Sequence, residues 1–164
     1  MNTQLLKGKR ILITGGGSGL GAAMAKSFAE WGADLVLSGR RQDRLEAVAK
    51  SIQESTQKKV LCAAVDIRDG EAVRSLVDEL WKKGPIHGLV NNAAGNFASP
   101  TERLSQRAFH AVFDCVASGS FYLTHALGQK WLADSIKASV VSISTTYASA
   151  AGPHVVPSAM GKAA

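Results

Sequence analysis

The chain has 164 residues, 46% apolar and 20% charged, enough for one well-buried domain and unlike a disordered, collagen-like or coiled-coil protein. Nineteen Lys and Arg against thirteen Asp and Glu leave a formal charge of +6, which fits an acidic ligand such as a phosphate-bearing cofactor or plain solubility. The basic residues are scattered and not interleaved with aromatics, which argues against nucleic acid as a partner.

In chain order, Arg10 to Thr14 is a short apolar run that breaks at Gly15, Gly16 and Gly17. A helical pattern follows through Ala22, Ala23, Met24, Ser27, Phe28 and Trp31, and Gly32 ends it. Asp34 to Ser38 reads as a second strand, and Gln42 to Ser55 as a helix with Leu45, Val48, Ala49 and Ile52 on one face. Strand Val60 to Val65, helix Glu71 to Trp81 and strand Gly88 to Asn91 continue the alternation. After a loop from Gly95 to Ser105 comes one long amphipathic stretch, Gln106 to Leu132, then an apolar strand, Val140 to Ser144. Pro157 is suited to open a further helix. Short apolar strands joined by helices require a parallel sheet covered on both faces, so the expected fold class is α/β, a doubly wound parallel sheet of Rossmann-like architecture. Residues 1–164 are expected to form a single dinucleotide-binding domain, C-terminally truncated because the chain stops at Ala164 as a helix begins.

Thr14, Gly15, Gly19 and Gly21 form T-G-x-x-x-G-x-G between the first strand and its helix, where a dinucleotide pyrophosphate lies against the helix N-terminus. Gly15 suits a tight turn, Gly19 a close approach of backbone to phosphate, and Gly21 close packing of helix on strand. Gly17, Ser18 and Leu20 complete the candidate loop, with the Ser18 hydroxyl a phosphate donor. At the end of the second strand an NAD site places an acid on the ribose 2′-hydroxyl. This chain has Ser38, Gly39, Arg40 and Arg41 there, which favours the 2′-phosphate of NADP; the alternative is a solvated Arg pair at the start of the next helix.

The Thr14 to Gly21 loop, the run Asn91, Asn92, Ala93, Ala94, Gly95, and Asp66 after the third strand together resemble the short-chain dehydrogenase/reductase superfamily over essentially the whole chain. The resemblance implies that Asp66 meets the adenine with help from the Ile67 backbone, and that Asn92 and Ala93 lie beside the cofactor. The superfamily's Tyr-x-x-x-Lys appears here as Ser158, Ala159, Met160, Gly161, Lys162, without the tyrosine, while Tyr147 stands eleven residues before Ser158. That displacement, with Gly95 to Leu104 and the Val155 to Ala159 segment, resembles the 2,4-dienoyl-CoA reductase branch.

The branch implies an NADPH-dependent reduction of 2,4-dienoyl-CoA thioesters to 3-enoyl-CoA in the β-oxidation of unsaturated fatty acids. Tyr147 and Asn96 would then stabilise negative charge on the thioester oxygen, Ser158 would orient Tyr147 or the thioester, and Lys162 would bind the nicotinamide ribose. Ala117, Ser118 and Gly119 depart from the superfamily, which places an Asn before that Gly to kink the helix and hold a relay water. Other readings are a carbonyl- or enoyl-reducing relative and a non-catalytic nucleotide-binding one. The resemblance also implies a homo-oligomer, a tetramer built through the long helices, with an acyl-CoA thioester as the small-molecule partner.

Cys62 and Cys115 stand at no metal or redox spacing, and His87, His110, His125 and His154 pair with neither Cys nor carboxylates, so no metal is expected. No apolar run approaches the roughly 20 residues that span a bilayer, and the N-terminus has no signal-peptide core. A soluble, membrane-free and cytoplasmic protein is the expectation.

Overall fold

The computed structural model describes residues 4–150 and 152–164. Five strands, β1 (Arg10–Thr14), β2 (Asp34–Gly39), β3 (Val60–Ala64), β4 (Gly88–Asn91) and β5 (Ser139–Ser142), form one sheet in the order β3-β2-β1-β4-β5. Every pairing is parallel, with Leu12 beside Val36 on one side and Leu89 on the other. Helices α1 (Gly19–Glu30), α2 (Gln42–Thr56), α3 (Gly70–Lys82), α4 (Gln106–Phe113), α5 (Gly119–Ala133) and α6 (Val156–Ala163) fill the connections.

Alternate side chains of the central strands enter opposite cores, as the two-residue period of a strand dictates. Ile11, Ile13, Leu35 and Leu37 pack with Ala25 and Ala29 of α1 and Leu45 and Ile52 of α2. Leu12, Val36 and Leu89 pack with Val73 and Val77 of α3 and Leu123 and Leu127 of α5. The winding therefore reverses between β1 and β4, and a crevice opens at the carboxyl ends of those strands, the usual place for a ligand in such sheets.

Local chemistry explains most boundaries. Gly32, at φ +95°, lies just past the end of α1, and Asp69 caps α3 by accepting from the N–H groups of Glu71 and Ala72, both at 3.0 Å. Trp131 packs on the sheet and donates Nε1–H to the Ile86 carbonyl at 2.7 Å.

Two expectations are corrected. The stretch from Gln106 to Leu132 is not one continuous helix: a π-helical turn, Asp114–Ser118, separates α4 from α5. Close packing accompanies the break, since a Cβ on Gly119 would lie 2.6 Å from the Ile67 side chain and 3.0 Å from its carbonyl oxygen. On the other side Gly161 of α6 approaches Val116, where a Cβ would sit at 3.0 Å. The last strand runs Ser139–Ser142 rather than Val140 to Ser144, with Val140 42% and Val141 52% exposed.

Candidate functional site

The crevice is organised by Thr14, the last residue of β1. Its buried hydroxyl donates to the Val90 carbonyl at 3.2 Å and accepts from the N–H groups of Asn92 at 2.9 Å and Ala93 at 2.8 Å. The Asn92 amide returns to donate to the Thr14 carbonyl at 2.8 Å. Asn92 and Ala93 thus fix where the glycine loop leaves the sheet. Gly15 turns at φ +65°, and Gly21 runs so close beneath it that a Cβ would lie 2.3 Å from the Gly15 carbonyl oxygen. Gly19, at φ +53°, has open space where a Cβ would stand. Ser18 occupies the N-cap position of α1 with its hydroxyl making no cap bond, and the first turn holds no acidic residue. Leu20 is 65% exposed and does not line the cleft.

Gly15, Gly17 and Ser18 form one wall of a cleft of about 260 Å³. The end of β2 and the start of α2 bring Arg40, Arg41 and Arg44 to it, while Asp66, Ile67, Asn92 and Ala93 bring the ends of β3 and β4. Of the candidate cofactor residues, Gly15, Gly17, Ser18, Arg40, Arg41, Asp66, Ile67, Asn92 and Ala93 share this cleft. Arg68 holds the Asp66 carboxyl below the usual carboxylate range, and the Arg40 charge acts in the same direction. A helix N-terminus without acids, an uncapped serine and three guanidinium groups fit a dinucleotide phosphate.

Sequence reasoning left Arg44 and Cys115, among other lining residues, out of the cofactor site. Arg44 lies three residues after Arg41, one turn along α2, and that spacing was a readable signal. Cys115 left none, because it reaches the cleft from the π-helical turn; burial pushes its thiol pKa up.

A second cleft, of about 660 Å³, lies between α5, β5 and α6 and is lined by Asn91, Ser118, Ser142 and Lys162 among others. Lys162 donates Nζ–H to the Ile143 carbonyl, and burial pushes its ammonium pKa down. The buried Asn91 side chain donates to the Thr124 hydroxyl at 3.1 Å. Tyr147 sits on a single 3-10 turn after β5, 46% exposed, with its ring against Gly152, where a Cβ would lie 2.4 Å away. Asn96 is exposed in the loop after β4, and Ser158 is half-buried in the first turn of α6. The Ser99 N–H donates to the His154 carbonyl at 3.3 Å, tying the Asn96 loop to the approach to α6. Asn96, Tyr147 and Ser158 line neither cleft; Lys162 lines the second.

A doubly wound sheet with a glycine loop and a basic cleft at its winding reversal defines a nucleotide-binding α/β protein. The family model described as short chain dehydrogenase matches residues 9–164, and the chain belongs to that family of oxidoreductases, which bind nicotinamide nucleotide cofactors.

Among its relatives, the Caenorhabditis elegans protein named probable 2,4-dienoyl-CoA reductase 3, (3E)-enoyl-CoA-producing, is 42% identical over 160 residues, covering 96% of this chain and 52% of that protein. The Bacillus subtilis protein named probable 2,4-dienoyl-CoA reductase, (2E)-enoyl-CoA-producing, is 38% identical over 156 residues, covering 94% of this chain and 61% of that one. A crystal structure of a short chain dehydrogenase from Bacillus anthracis has a TM-score of 0.90 at 38% identity, over 94% of this chain and 64% of the other. The chain spans about half the length of the C. elegans relative. Among the described residues, no helix is long and apolar enough to cross a membrane.

Proposed function

We propose that residues 1–164 act as a single dinucleotide-binding domain specific for NADP, in an enzyme that reduces 2,4-dienoyl-CoA thioesters to 3-enoyl-CoA in unsaturated fatty acid β-oxidation. The observation that carries the cofactor choice is the end of β2, where Arg40 and Arg41 line the glycine-loop cleft and no carboxylate stands in for the ribose-binding acid. The substrate choice is supported by the relatives named as dienoyl-CoA reductases and by the spacing of Tyr147, Ser158 and Lys162.

When bound, the nicotinamide nucleotide would supply a hydride to the conjugated thioester, and a water would supply the proton that completes the reduction at the α carbon. The backbone N–H groups of the glycine loop and the Ser18 hydroxyl hold the pyrophosphate, while Arg40 and Arg41 hold the 2′-phosphate. Lys162 binds the nicotinamide ribose. The Tyr147 hydroxyl and Asn96 amide donate to the thioester oxygen as charge builds on it, each such donor contributing about 3 kcal/mol in a dry site. Ser158 orients Tyr147 or the thioester. The proposed assembly is a cytoplasmic homotetramer built through the α4–α5 stretch.

The test begins with titration of NADP and NAD. Arg40→Ala is expected to weaken NADP binding about tenfold or more and leave NAD binding nearly unchanged, since a charge-assisted bond to the 2′-phosphate is what it removes. Hexadienoyl-CoA is then followed by the loss of diene absorbance, with the product double bond located by NMR. Unchanged NADP affinity in the variant ends the cofactor assignment, and a 2-enoyl product ends the product assignment. A second reading, a nucleotide-binding relative without turnover, is favoured by Asn96, Tyr147 and Ser158 lining neither cleft. It gains if NADP binds and neither dienoyl thioesters nor ketones are reduced.

A further inference from the structure

Every strand of a parallel sheet starts on the same edge, so lysines that are scattered along the chain gather there. Lys7 and Lys9 precede β1, Lys59 precedes β3, Lys83 follows α3 ahead of β4, and Lys137 precedes β5. Backbone bonds tie these segments side by side. The Asp34 N–H donates to the Lys9 carbonyl at 2.9 Å, the His87 N–H to the Arg10 carbonyl at 2.7 Å, and the Ser139 N–H to the His87 carbonyl at 3.1 Å. All five lysines are exposed, and none of them forms an ion pair among the described residues. Lys58 and Arg10 at the same edge serve the fold, donating to the carbonyls of Gly32 at 3.0 Å and Gly84 at 2.9 Å. Glu30, Asp34, Glu54 and Asp134 offset only part of this positive charge. Leu5, two residues before Lys7, is 67% exposed, an apolar side chain beside the ammonium groups.

We propose that the edge where the strands begin is a peripheral docking surface for an anionic lipid bilayer, its lysines meeting the headgroups and Leu5 entering between them. Lysine is a compact point charge that gains from a diffuse negative surface without a shaped partner, and each one near such a surface adds to the attraction. An exposed leucine beside lysines is the pairing that interfacial anchors use, with the apolar tip among the acyl chains and the ammonium groups at the headgroups. Strands about 4.8 Å apart spread the five starts over roughly 20 Å, wide enough to meet several headgroups at once. Single-stranded nucleic acid is disfavoured, because its bases stack on exposed rings and the indoles at this end, Trp31 and Trp81, are half-buried. The first cleft lies at the opposite ends of the strands, so a docked chain keeps it open to water. The contact is peripheral and departs from the expectation of a membrane-free protein, which rested on the want of a spanning segment.

The test is co-sedimentation of the whole chain with vesicles of phosphatidylcholine alone and of phosphatidylcholine carrying about one third phosphatidylserine. The chain is expected to bind the second kind and not the first, and to release as salt rises from about 0.1 M to about 0.5 M. The triple variant Lys9→Gln, Lys59→Gln, Lys83→Gln should weaken that binding on the order of 100-fold. The control triple Arg74→Gln, Arg103→Gln, Arg107→Gln removes the same charge from exposed positions toward the other ends of the strands and should leave binding within about threefold. Leu5→Ser should weaken it about tenfold with the melting temperature unchanged. Equal losses in the two triple variants mean attraction by net charge and not by this face, and overturn the inference. Equal binding to both kinds of vesicle, or binding to neither, overturns it too. Capture by poly-glutamate without binding to either vesicle assigns the face to an acidic polypeptide and ends the lipid assignment.

Discussion

A single methyl group at position 21 is expected to disable the cofactor site. The Cβ of an alanine there would sit 2.3 Å from the Gly15 carbonyl oxygen, a backbone atom that cannot swing aside without moving the loop. Gly21→Ala should therefore lower stability by about 1–3 kcal/mol, as overpacking does, and abolish nucleotide binding; thermal melts and a titration read both. His87 sets a second expectation. Its Nδ1 accepts the Arg10 N–H at 3.1 Å, and burial, with Lys9 and Arg10 adding repulsion, pushes the imidazole pKa below 6.5. The unfolded chain then takes up a proton at a pH where the folded chain does not. The contribution of His87 is full above the unfolded value and declines as pH falls through it, levelling off below the folded pKa. Urea unfolding between pH 5 and 8 should show that slope, and His87→Gln should flatten it.

At the scale of elements, the π-helical turn is the feature with most attached to it. It widens the helix where Val116 meets Gly161, next to Lys162, and it carries Cys115 to the first cleft and Ser118 to the second. Ser120 supports it by donating its hydroxyl to the Val116 carbonyl at 2.7 Å. Ser120→Ala is expected to cost about 1 kcal/mol, and Ser120→Thr, which can make the same bond, should recover most of it; chemical denaturation measures both. The turn also marks the limit of what was legible in the sequence. Strands β1 and β4 were readable to the residue because buried parallel strands are continuous apolar runs bounded by glycine or polar residues. The glycine loop and the Arg40–Arg41 pair were readable because each lies within one local segment. Period counting cannot see one extra residue in a helical turn, since the apolar face continues on either side of it. Cys115 in the first cleft follows from that turn, so it too was hidden, as was the pairing of Arg68 with Asp66, a contact between side chains and not a motif.

For the molecule as a whole, the Thr14 hydroxyl ties together the centre of the sheet. One oxygen at the end of β1 serves three partners, Val90 of β4 and Asn92 and Ala93 just past it, so no part of that knot loosens alone. The amide protons of Asn92 and Ala93 should accordingly swap with deuterium only in molecules that have come apart altogether, making them the slow clock against which breathing of the neighbouring loops can be timed.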